Sequence, residues 1–184
     1  MAIPTRWDVQ LAHWFDTHFL PIERHRTYAR PGRRQAAMGK IPCPSFRYSY
    51  EDLQSRTFGL VLDTWPSMDR DLLAEAFDVL MMQSIAHDIP QIRLIFCDKT
   101  TYDEGYVLPE HLREHTNIKG LKHPPLQPGI DLLESAYDFP RHSPILLVTD
   151  GACDRLNVRR EHAFIVPVQT HPRIPQHQTA FLVE

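Results

Sequence analysis

A chain of 184 residues is about one domain long by the prior of roughly 150 residues per domain. Hydrophobic residues make up 42% and charged residues 23%, a soluble globular balance, and no apolar run approaches the roughly 18 residues of a membrane span, which sets aside membrane, fibrous and disordered classes. Lys plus Arg at 20 against Asp plus Glu at 23 gives a formal net charge of −3, so no global basic field draws the chain to nucleic acid or lipid headgroups, and neither partner is expected.

In chain order, residues 7–20 place Trp7, Leu11, Trp14, Phe15 and Phe19 at near-helical spacing and Pro21 stops the run, which predicts an amphipathic helix seeking a surface. From Pro21 to Tyr50 the chain mixes Pro, Gly, Arg and aromatics with no sustained period. The expectation is an irregular arm over the domain, anchored through Ile22, Tyr28, Ile41, Phe46 and Tyr48. Within it, Arg24, Arg26, Arg30, Arg33 and Arg34 form one basic cluster, read either as a solvated arm or as a contact for phosphate or an acidic partner. The division is therefore 1–50, helix and arm, and 51–184, the main domain.

After Tyr50 short apolar runs alternate with helix-like stretches: FGLVL at 58–62, a helix at 69–87, IRLIF at 92–96, a helix at 128–138, ILLV at 145–148 and HAFIVPV at 162–168. Runs apolar at every position suit strands covered on both faces, and the alternation predicts an α/β fold with a doubly wound, mostly parallel sheet and helices on both faces. AFLV at 180–183 adds a last strand at an edge. On the helix at 69–87, Leu72, Leu73, Ala76, Val79 and Leu80 make the stripe expected to face the sheet. Phe77, Met81 and Ile85 recur on nearly the opposite side and need a cover, either the N-terminal helix or a partner.

Cys43, Cys97 and Cys153 form no C-x-x-C pair and leave an odd thiol, which points to a reducing compartment. The first six residues lack a signal-peptide pattern, so the expected location is cytoplasmic.

Asp63 closes the FGLVL run and Asp150 follows ILLVT, where sheets of this kind place ligands. FGLVLDTWPSMDRDLLAEAF with ILLVTDGACD, together with WDVQLAHWF, TYARPGRRQ, FCDKTTYDEGY, LQPGIDLLE and VRREHAFIVP in that order, resembles the bacterial von Willebrand factor A-like domains often joined behind a metallopeptidase-like region. The resemblance spans most of the chain and implies a Rossmann-type fold with a metal-ion-dependent adhesion site. That site uses an Asp-x-Ser-x-Ser turn after the first strand, a Thr in a glycine-rich loop and a later Asp. Magnesium is hard and seeks six oxygens, with a partner's carboxylate or water in the open position.

Carried over by position, the resemblance keeps Asp63, Ser67 and Asp150 as metal-site residues but puts Trp65 at the first Ser and Pro124 at the Thr. Neither ligates magnesium, so the site reads as degenerate, holding magnesium or calcium weakly or not at all, with no cofactor implied. Lys122 and His123 stand where they would partly neutralise Asp63 and Asp150. Trp65, Pro66, Met68, Lys122, His123, Pro124 and Pro125 turn the same loops into stiff, amphipathic contact groups, to which Phe77 and Met81 add a helix face.

The expected function is protein binding at that edge by a non-enzyme. Three alternatives stay open: metal-dependent adhesion through Asp63, Ser67 and Asp150; an engineered or self-associating scaffold; and a zinc hydrolase through His111-Leu112-Arg113-Glu114-His115, which matches H-x-x-E-H. For the last, Pro109 and the polar surroundings predict only a brief helical turn. Cys43 and Cys97 read as packing residues, and Cys153 as a thiol near the sheet's ligand edge.

Overall fold

The computed structural model describes residues 6–23, 25–31, 42–49, 53, 55–63, 70–98, 100–116, 125–151, 156–168, 174 and 178–183. In chain order its elements are helix α1 (Trp7–His18), strands β1 (His25–Pro31) and β2 (Pro42–Arg47), β3 (Gly59–Asp63), α2 (Arg70–Ala86), β4 (Ile92–Cys97), β5 (Thr101–Val107), a 3-10 helix (Pro109–Thr116), α3 (Gln127–Ser135), β6 (Ile145–Val148), β7 (His162–Pro167) and β8 (Thr179–Val183).

Six strands form one sheet in the order β5-β4-β3-β6-β7-β8. All neighbours are parallel except β4 and β5. From β3 the chain builds outward through β4 to β5, then returns to the centre and builds the other way through β6, β7 and β8. The order therefore reverses between β3 and β6, whose registers pair Gly59 with Ile145 and Leu62 with Val148.

Every residue of β3 and β6 is buried, as expected for strands with covered faces. Leu60, Leu62, Leu94, Leu146, Val148 and Ile165 point into one core with α1, α2 and Leu112 of the 3-10 helix. The alternate residues Val61, Ile95, Cys97, Ile145, Leu147 and Phe164 point into a second core with Ile130 and Leu133 of α3. The two-residue alternation of strand side chains thus divides the interior into two layers.

The approach of α3 is close enough to fix its direction. A Cβ on Gly129 would overlap the Cys97 sulfur, and one on Gly59 would overlap Leu133. The start of α3 therefore lies at the carboxyl end of β4 and its last turn over the amino end of β3, antiparallel to the central strands.

The arm expected to be irregular between 21 and 50 contains an antiparallel ladder, β1 with β2, pairing His25 with Arg47 and Pro31 with Pro42 around an irregularity between Thr27 and Arg30. Proline is tolerated here because in a two-stranded ladder both strands are edges. The N-terminal helix packs as predicted: Trp7, Leu11, Trp14, Phe15 and Phe19 join the first core, and the Phe15 ring meets Phe58 edge-on at 5.4 Å.

The helix at 70–86 is rotated from its expected setting. Its buried residues are Leu73, Ala76, Phe77, Leu80 and Ser84, one face by their three- and four-residue spacing. Phe77, assigned above to an outer stripe, is fully buried and is core, not a docking residue. The reason is a cover that the helix's own periodicity does not reveal: the 3-10 helix lies along α2, with Leu112 buried and Arg113 ion-paired to Asp78. Met81 is half-buried, while Met82 and Ile85 are exposed.

Candidate functional site

The carboxyl rim of the sheet gathers acidic residues because three adjacent strands end there. Asp63 is the last residue of β3, Asp98 follows β4, and Thr149-Asp150-Gly151 follows β6. Asp63 is 6% exposed and Asp150 7%, deep for carboxylates, which rarely lie so far in without partners.

Thr149 supplies part of the answer. It is fully buried, and its main-chain N–H donates to the Ile165 carbonyl at 3.2 Å, which holds it against β7. Its hydroxyl donates to Asp63 Oδ2 at 3.0 Å and accepts the Gly151 N–H at 3.3 Å. The chain then turns at Gly151, whose φ of 81° only glycine adopts without strain. A hydroxyl therefore sits at the centre of this rim, oriented by a strand and a turn. Sequence reasoning passed over Thr149; the signal was its place as a polar, β-branched residue continuing an apolar strand next to Asp150.

Asp98 is half-buried, and its Oδ1 has no hydrogen-bond partner among the described residues. It stands one residue beyond Cys97, which pairs in register with Asp63. The Cys97 thiol is pushed up to about 12, first by burial and then by the nearby Asp63 charge, with the Gly129 main chain opposing. A thiol so protonated is no nucleophile, in line with the packing role expected for it.

Of the residues nominated for binding or metal, Trp65, Pro66, Ser67, Met68, Lys122, His123 and Pro124, like Cys153, lie outside the described residues. Asp63 and Asp150 are brought to one rim. Pro125 is exposed at the start of α3, which the packing of Gly129 on Cys97 sets at that same rim. Phe77 belongs to the core. Among the described residues, no three His, Cys, Asp or Glu side chains are grouped so as to hold a metal ion.

The H-x-x-E-H segment lies in the 3-10 helix, where three residues per turn put His111 and Glu114 on one line and turn His115 away. His115 packs toward the Phe96 ring at 5.7 Å, while His111 and Glu114 are exposed. The segment does not bring both imidazoles to one face, as a zinc site requires.

No helix among the described residues is long and apolar enough to cross a membrane. Comparison of the chain with protein-family models and with curated proteins gives no match.

Proposed function

We propose that the chain is a protein-binding module of the von Willebrand factor A-like type, a doubly wound α/β domain that docks a partner on the loops of its carboxyl rim. The contact groups of this reading are Trp65, Pro66 and Met68 in one loop and Lys122, His123, Pro124 and Pro125 in the other. The observation that carries it is the pair of buried carboxylates, Asp63 and Asp150, at the reversal of strand order, with the Thr149 hydroxyl on Asp63. Such reversals are where sheets of this class present ligand sites.

Docking in this reading does not depend on a tightly held ion. Two loop positions that would offer hydroxyl oxygens carry Trp65 and Pro124, and one oxygen of Asp63 already accepts a hydroxyl hydrogen. The test is affinity capture on the immobilised full chain and on a Trp65→Ala, Met68→Ala double variant, in magnesium and in chelator. A protein retained by the wild type in both buffers and lost by the variant is the expected result. Equal retention by the variant overturns the rim as the docking face.

The buried pair of carboxylates also favours a second reading, metal-dependent adhesion through Asp63, Ser67 and Asp150. Its signature is retention in magnesium that chelator abolishes, together with a melting temperature raised several degrees by the ion.

A further inference from the structure

The opposite rim of the sheet carries a cleft of about 420 Å³, inside the roughly 300–1,000 Å³ range of small-molecule sites. Three segments distant in sequence form it: the chain leaving α1 (residues 18–23), the approach to β3 (55–57) and the approach to β6 (142–144). We propose that this cleft binds a small organic carboxylate, with Arg56, His142 and Ser143 meeting its charged end.

The unused donors of Arg56 point to an acceptor as the ligand's polar end. Arg56 donates to the carbonyls of His87 at 2.6 Å, Leu20 at 2.7 Å and Phe19 at 2.9 Å, which fixes its guanidinium but leaves two of five N–H groups for another acceptor. All three hydrogen-bond partners are neutral, and among the described residues the nearest opposing charge, Asp88, acts on the guanidinium from beyond ion-pair distance. Around it the lining adds the imidazoles of His18 and His142, with Glu23, exposed, as the one carboxylate among the described lining residues.

Ser143 is 2% exposed, and its hydroxyl has no hydrogen-bond partner among the described residues, a deficit that native proteins rarely leave unexplained. Ser143 lines the cleft, and a ligand oxygen that reaches its hydroxyl removes the deficit. Leu20, Ile22 and Pro144 supply apolar wall, so the fitting ligand has a short hydrocarbon body behind its carboxylate.

The test is calorimetric titration of the full chain with sodium hexanoate, inorganic phosphate and hexylamine, repeated with His142→Ala and Ser143→Ala. His142 is exposed on a turn and Ser143 is buried just after it, and circular dichroism checks that each variant folds. The expected result is saturable hexanoate binding that each variant weakens by roughly 3- to 10-fold, the loss of one hydrogen bond to a charged group. Phosphate binds more weakly than hexanoate, and the amine does not bind. No saturable hexanoate binding, binding unchanged in both variants, or phosphate binding as tightly as hexanoate overturns the proposal.

Discussion

The two rims of the sheet solve one problem with opposite signs. At the carboxyl rim a buried anion, Asp63, takes a hydrogen from the Thr149 hydroxyl; at the amino rim a part-buried cation, Arg56, is held by three main-chain carbonyls. In each case these hydrogen bonds join the charge to neutral dipoles, with Asp88 adding a more distant opposite charge at Arg56. The difference lies in where the dipoles come from. Phe19 and Leu20 follow the end of α1 and His87 follows α2, so Arg56 is positioned by helix ends, where carbonyls lack intrahelical partners and cations are favoured. Arg160 repeats the pattern with the carbonyls of Pro140 and Glu134, near the end of α3. The amino rim is thus tied to the assembly of whole helices. The carboxyl-rim contact depends on one side chain beside a turn.

That contrast predicts unequal costs. Arg56→Ala should have the largest effect, about 3–5 kcal/mol in denaturant unfolding, because it strips three carbonyls of a charged donor and loosens the seam between α1 and α2. Arg56→Lys should recover only part of this, since an ammonium cannot reproduce the planar fork. An Arg56→Ala protein within 1 kcal/mol of wild type would mean that water replaces the guanidinium freely, and the two rims would no longer differ in kind.

Thr149→Val should cost less, about 1–3 kcal/mol, the penalty of leaving a buried carboxylate oxygen without that donor. Thr149→Ser, which keeps the hydroxyl, should stay close to wild type by the same measurement. Comparing the melting temperature with and without magnesium sharpens the point: removal of the hydroxyl should enlarge any stabilisation by the ion. Equal stability of the Val and Ser variants would show that the hydroxyl is incidental.

How much of this was legible from the sequence follows from the same physics. The strands β3, β4, β6 and β7 could be read because burial on both faces demands apolar residues throughout, and α1 because its aromatics repeat at helical spacing. Strand β5 could not: TYDEGYV is an antiparallel edge with alternating exposure, and its polar residues look like a loop. The β1–β2 ladder was hidden by its prolines. The burial of Phe77 depends on a 3-10 helix that begins more than thirty residues later. Asp63 and Asp150 could be placed because carboxylates after apolar strands mark a rim. The partner of Asp63 could not, since Thr149 reaches it only through the β3–β6 register, 86 residues along the chain. The amino-rim cleft has no motif, because three connections supply its wall.

The smallest effect expected at neutral pH concerns Cys97, beneath the carboxyl rim. Its folded-state value of about 12 lies above the ordinary thiol range because burial, then the Asp63 charge, disfavours the thiolate. A raised value means that the folded state keeps its proton where the unfolded chain has lost it. The resulting stability is therefore fully present below about pH 9 and is lost as pH rises toward 12. Nothing should change at pH 7. Above pH 9, unfolding curves of wild type should fall more steeply with pH than those of Cys97→Ala, and Asp63→Asn should make the wild-type slope shallower by removing the neighbouring charge. Parallel slopes in wild type and Cys97→Ala would show that the thiol escapes both the burial and the field of the rim.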